Sequence, residues 1–125
     1  MTATVLIVDD LAVNRDLVRM VLDHNGYETR EADGGAAALR VLTREHPDLV
    51  LTDIRMPEMD GYSLARAIKA DRALRSIPVV FYTAHYIEAQ NIADASAVGV
   101  SRIIEKTGDL EELLDAVADA LLTPD

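Results

Sequence analysis

Five times along the chain a short strand-like run gives way to a stretch with helical spacing, and this alternation constrains the fold most tightly. The strand-like runs cover residues 5–8, 49–51, 79–82 and 100–104. A weaker one at 27–32 mixes charge into the apolar pattern. Uninterrupted Val, Leu and Ile suit strands buried on both faces, whereas the mixed run suits a sheet edge. Between them lie apolar stripes at helical spacing. Leu17, Val18, Val21 and Leu22 form one, Ala38, Leu39 and Leu42 the next, and Leu64 with Ile68 a third. The clearest is Leu110, Leu113, Leu114, Val117 and Leu121. Residues 86–98 share the spacing, but their face is mostly Ala and Ile and binds a core less strongly.

Punctuation supports the division. Asn25-Gly26 is expected to close the first helix with Gly in the left-handed position. Pro47 and Pro78 each precede a strand, and Asp109 suits the N-cap of the last helix. With no linker or repeat, residues 1–125 read as one α/β domain with a parallel sheet covered on both faces. The doubly wound (βα)5 arrangement with strand order 2-1-3-4-5 is the expected solution. It places a ligand crevice at the C-terminal ends of the first and third strands, where the winding reverses.

That expectation selects particular polar residues. The first strand runs into Asp9-Asp10, the third into Asp53, the fourth into Thr83 and the fifth into Lys106. Adjacent carboxylates at a strand mouth repel by roughly 4 kcal/mol at about 4 Å and an effective dielectric near 20, so a compensating charge is required. Clustered carboxylates are hard oxygen ligands suited to Mg²⁺, which binds phosphate alongside them. A carboxylate is also a nucleophile toward phosphorus. Phosphoryl transfer then needs chiefly positioning and charge neutralisation, which a divalent cation, Lys106 and the Thr83 hydroxyl can supply.

The stretches VLIVDD, LVLTDIRMPEMDG and VVFYTA, with the lysine of IIEK, resemble the receiver domain of two-component response regulators. The resemblance spans residues 4–122, and Asp53, Met56-Pro57 and Asp60-Gly61 fall at the family spacing. It implies that Asp53 accepts a phosphoryl group from a histidine kinase or histidine phosphotransfer protein. It further implies Mg²⁺ held directly by Asp10, Asp53 and the backbone carbonyl of Arg55, with Asp9 acting through water. Thr83 would hydrogen-bond the phosphoryl group and Lys106 would pair with it. The downstream partner would be a protein docking on the face of the fourth helix, fifth strand and fifth helix, and a homodimer stays open.

Two positions depart from the family pattern. The family lysine is usually followed by proline, often in a cis peptide, but Lys106 precedes Thr107. A non-proline cis bond costs about 2.5–4 kcal/mol, so a trans peptide is expected. Ile103 stands where the family commonly carries a switching Tyr or Phe, so either the switch is muted or another group such as Tyr86 reports it. His85, two residues after Thr83, borders the site by family position, whereas His24 and His46 read as surface residues near helix ends.

Composition narrows the alternatives. A net charge of −10 argues against direct binding of nucleic acid or an anionic membrane. The absence of cysteine excludes thiolate metal sites and suits a reducing cytoplasm, and no apolar stretch approaches a membrane span. The competing readings are a Mg²⁺-dependent phosphohydrolase with an aspartyl nucleophile, a receiver that signals without phosphorylation, and a flavin carrier. The first would want Asp-x-Asp after the first strand, and the last a hydroxyl- and glycine-rich phosphate loop where this chain has DDLAVN. The leading expectation is a phosphorylation switch rather than a turnover enzyme, standing alone or as a receiver from a hybrid sensor kinase.

Overall fold

The computed structural model describes residues 2–84, 87–100 and 102–122. Five strands alternate with five helices: β1 (Thr4–Val8), α1 (Ala12–His24), β2 (Glu28–Ala32), α2 (Gly35–Arg44), β3 (Leu49–Thr52), α3 (Gly61–Ala70), β4 (Val79–Thr83), α4 (Ala89–Ala97), β5 (Arg102–Glu105) and α5 (Leu110–Leu122). All pairings are parallel, in the order β2-β1-β3-β4-β5, as the alternation predicts. β2, the charge-interrupted run, lies at one edge.

The two-residue period of the strands sorts the core into two layers. Leu6 and Val8 face Ala38, Leu42, Leu64 and Ile68 of α2 and α3, while Val5 and Ile7 face Val18 and Leu22 of α1 and Leu113 and Val117 of α5. Burial of each large aliphatic side chain contributes about 1.5–3 kcal/mol, and this holds the helices to both faces of the sheet. α1 and α4 both end in a Schellman closure. Gly26 (φ 89) and Gly99 (φ 82) take the left-handed position, and the amides of Tyr27 and Val100 donate back to Leu22 and Ala95. Asp109 caps α5 by accepting from the amides of Glu111 and Glu112.

Three expectations are corrected. Leu17 is half-exposed rather than part of the α1 stripe, because the sheet takes only Val18 and Leu22. The fifth strand begins at Arg102 and not at Val100, whose amide is committed to closing α4. α4 begins at Ala89, where the Asn91 side chain accepts from the Glu88 amide, so the helical segment is shorter than 86–98. Only Ala95 of α4 is buried, in keeping with its weak apolar face. Among the described residues no peptide is cis, so Lys106–Thr107 is trans as expected, and no helix is long and apolar enough to cross a membrane.

Candidate functional site

Parallel register brings the strand ends to one edge. Val8 pairs with Thr52 and Thr83 with Glu105, so the residues that follow β1, β3 and β5 emerge beside the end of β4. Asp9, Asp10 and Asp53 each offer a carboxylate oxygen, and these oxygens lie within 4.8 Å of one another. Each pair at that separation repels by roughly 3.5 kcal/mol at an effective dielectric near 20. The countercharge comes from far along the chain. Lys106 Nζ donates to Asp9 Oδ2 at 2.7 Å and to Asp53 Oδ2 at 3.2 Å, with all three side chains largely buried. Burial alone would lower the Lys106 pKa, but its hydrogen bond to Asp9 and the attraction of both carboxylates outweigh this and raise it.

The three carboxylates are held differently. Asp9 is buried; its Oδ1 accepts from the Leu11 amide at 3.0 Å while its Oδ2 takes Lys106. Asp53 Oδ1 accepts from its neighbour's amide, Ile54 N–H, at 2.7 Å. Asp10 is exposed, and among the described residues its carboxylate has no hydrogen-bond partner. Thr83 is buried at the end of β4, and its carbonyl accepts from the Lys106 amide at 2.6 Å, which ties the lysine to the sheet. Arg55 is exposed in the loop after β3. Three carboxylates at this spacing suit a hard divalent cation, with Asp10 and Asp53 the more open ligands.

The loop carrying Asp53 is shaped by backbone constraints. Glu58 has φ 69, and the Met59 amide donates to the Pro57 carbonyl at 2.7 Å, closing a γ-turn of positive φ. Asp60, which falls at the family spacing, caps α3 by accepting from the Ser63 amide at 2.8 Å. A Cβ on Gly61 would meet the Asp53 carbonyl oxygen at 2.6 Å and Ile54 Cα at 3.0 Å, so only glycine lets α3 start this close to the site.

Ile103 packs partly buried on the core and lines a cavity of about 160 Å³ beside Thr83, with Ile54, Arg55, Ile87, Glu88 and Asn91. His85 and Tyr86 lie outside the described residues. His24 and His46 are exposed, as expected.

Sequence reasoning passed over three side chains. Arg15 Nη1 donates to the Asp9 carbonyl at 2.7 Å and its Nε pairs with Glu31 at 3.2 Å, bracing the loop after β1. Glu105 accepts from the Ile87 amide at 3.0 Å, tying the segment before α4 to β5. The Tyr82 ring centroid lies 5.5 Å from Lys106 Nζ. Burial pushes the Tyr82 phenol up, the Lys106 ammonium opposes this and Glu112 adds to it. Alternation along β4 was the available signal for Tyr82, because the residue before Thr83 must face α5.

A family model for the response regulator receiver domain matches residues 5–118. The polar-differentiation response regulator DivK of Brucella ovis is 42% identical over 84 residues, which cover 67% of this chain and 68% of that protein. Sporulation initiation phosphotransferase F of Bacillus subtilis is 37% identical over 118 residues, covering 94% and 92% of the two chains. The crystal structure of a signal receiver domain of a signal transduction histidine kinase from Syntrophus aciditrophicus has a TM-score of 0.87 at 32% identity, over 96% of this chain and 90% of that one. The fold, the cluster at its edge and these likenesses agree: the chain belongs to the response regulator receiver domains.

Proposed function

We propose that Asp53 is the phosphoacceptor of a two-component signalling switch, charged by a phosphohistidine on a histidine kinase or histidine phosphotransfer protein. The observation that carries the proposal is the convergence of Asp9, Asp10 and Asp53 on one point, with Lys106 Nζ bridging two of them. An Asp53 carboxylate oxygen attacks phosphorus, the P–N bond to the donor imidazole breaks, and the leaving nitrogen is protonated from solvent. Lys106 turns from the Asp53 carboxylate to a phosphoryl oxygen, and the Thr83 hydroxyl donates to another.

The carboxylate set fits Mg²⁺, held by Asp10, Asp53 and the Arg55 carbonyl with Asp9 through water. That division is supported by Asp9 having both oxygens engaged by protein donors while Asp10 is open. Bound there, the cation would offset the charge of the carboxylates and of the incoming phosphoryl oxygens. Leu11, Val13, Leu17 and Met20 form an exposed apolar strip on and before α1, beside the cluster, which supports docking of a donor's apolar surface there. The output face is α4, β5 and α5. α4 supports this role because it is the most weakly packed helix and therefore the easiest to bias. The product is a switched state whose affinity for a protein target changes, not a released substrate.

The test is incubation with Mg²⁺ and acetyl phosphate, followed by intact mass measurement. Wild type is expected to gain one phosphoryl group, a gain prevented by chelating the metal during loading, and Asp53→Asn to gain none. Equal gain by wild type and Asp53→Asn would overturn the assignment.

A further inference from the structure

Lys106 carries its charge on a flexible four-carbon stem, and such a side chain needs walls if its ammonium is to wait in one place. Two walls are the carboxylates of Asp9 at 2.7 Å and Asp53 at 3.2 Å. Both change role when a cation and a phosphoryl group arrive, so neither holds the ammonium through the reaction. The third wall is the Tyr82 ring, whose centroid lies 5.5 Å from Nζ. A cation within about 6 Å of an aromatic centroid is attracted by the ring's negative face, most strongly where water is excluded. The distance condition holds here, and the burial of the ring meets the second in part. Tyr82 is 7% exposed and packs among Ile104, Leu113, Ala116 and Val117 on the α5 side of the sheet. Thr83, its neighbour in β4, lies at the same edge of the sheet, and its carbonyl accepts from the Lys106 amide. One short stretch of strand therefore carries a hydroxyl for the phosphoryl group and a support for the residue that pairs with it.

We propose that Tyr82 is a positioning residue for Lys106, its ring face keeping the ammonium at the mouth of the carboxylate cluster as the lysine turns from Asp9 and Asp53 toward a phosphoryl oxygen. This rests on the phosphoacceptor reading of Asp53. The ring supplies the attraction, not the hydroxyl, so Tyr82→Phe retains the function and Tyr82→Leu, similar in apolar volume, loses it. A residue that only packs the core responds the same way whether or not a lysine stands above it.

The experiment is a double-mutant cycle on the full chain, at a temperature where circular dichroism shows every variant folded. The rate of phosphorylation by acetyl phosphate at saturating Mg²⁺ is measured for wild type, Tyr82→Phe, Tyr82→Leu, Lys106→Met and Tyr82→Leu/Lys106→Met. Tyr82→Leu is expected to be slower by about fivefold, the size of a cation–π contact of about 1 kcal/mol at a partly exposed ammonium, and Tyr82→Phe to stay within about twofold of wild type. In the Lys106→Met background the leucine substitution is expected to change nothing further. The same slowing in both backgrounds, or none in either, overturns the proposal. A second readout needs no phosphodonor: the order parameter of the Lys106 ε-methylene by carbon relaxation. It is expected to fall in Tyr82→Leu and hold in Tyr82→Phe. Equal values in all three proteins refute the positioning role even if wild type takes no phosphoryl group, an outcome that would separately sink the phosphoacceptor reading.

Discussion

Lys106→Met isolates the charge that holds the site together, because methionine keeps much of the apolar stem while removing the ammonium. Its loss leaves Asp9 and Asp53, with side chains 6% and 12% exposed, facing each other without a countercharge. Removing one partner of a buried ion pair costs about 3–5 kcal/mol. Residual exposure of Lys106, 14% at its side chain, lets water reach the cluster and places the expected loss at the lower end, about 3 kcal/mol. For a domain of this length that corresponds to roughly 10 °C in melting temperature. The assay is urea unfolding followed by circular dichroism, once with chelator and once with saturating Mg²⁺. A ligand bound only by the native state adds about 2.7 kcal/mol at a hundredfold excess over its Kd, so Mg²⁺ stabilises the wild type too. Its gain should be larger in Lys106→Met, where the cation also replaces the missing charge, and the gap between the two proteins should shrink by more than half. An identical gap with and without Mg²⁺ would refute the idea that ammonium and cation answer the same repulsion.

Other outcomes follow from single contacts. Gly61→Ala places a Cβ 2.6 Å from the Asp53 carbonyl oxygen, an atom that cannot yield without moving the site. A loss of about 2 kcal/mol in unfolding free energy is expected, together with slower phosphorylation, whereas a neutral alanine would show that the loop is looser than described. Tyr62 packs edge-on against Phe81 at 5.2 Å, with its hydroxyl buried and, among the described residues, lacking a hydrogen-bond partner. Tyr62→Phe should therefore be neutral or stabilising by up to about 1 kcal/mol in thermal melts, and a clear loss would reveal a partner for the hydroxyl. The raised pKa of Lys106 gives a pH dependence of defined sign. The folded state holds the proton more tightly, so the stabilisation is complete below the ordinary lysine value of 10.5 and is lost as pH climbs through the higher folded value. Lys106→Met should lack this alkaline loss when unfolding is followed against pH, and parallel curves would contradict it.

Much of the fold was legible because a parallel sheet buried on both faces leaves its mark in every strand. The same signal placed the candidate residues together: Asp9, Asp53, Thr83 and Lys106 each stand at the end of an apolar run, and winding order alone carries those ends to one edge. What failed is equally physical. Leu17 and Val18 are adjacent, and a stripe drawn from both cannot say that only Val18 turns inward while Leu17, with Val13 and Met20, stays exposed. Val100 reads as strand by its side chain, yet its amide is spent closing α4 behind Gly99. Arg15 and Tyr82 escaped notice because their roles lie in contacts between segments distant in sequence: a guanidinium reaching a backbone carbonyl, and a ring beneath an ammonium. Alternation along β4 gives the side of the sheet that Tyr82 faces, but neither contact itself leaves a local pattern.

The assignment of Asp53 is tested most directly by locating the phosphoryl group. Protein loaded with acetyl phosphate and Mg²⁺ is reduced with borohydride, which converts an aspartyl phosphate to homoserine, and its peptides are sequenced by mass spectrometry. The expected result is conversion at Asp53 alone. Conversion at Asp9, the position a phosphohydrolase would use after its first strand, or at no aspartate while a known receiver is modified alongside, would contradict it.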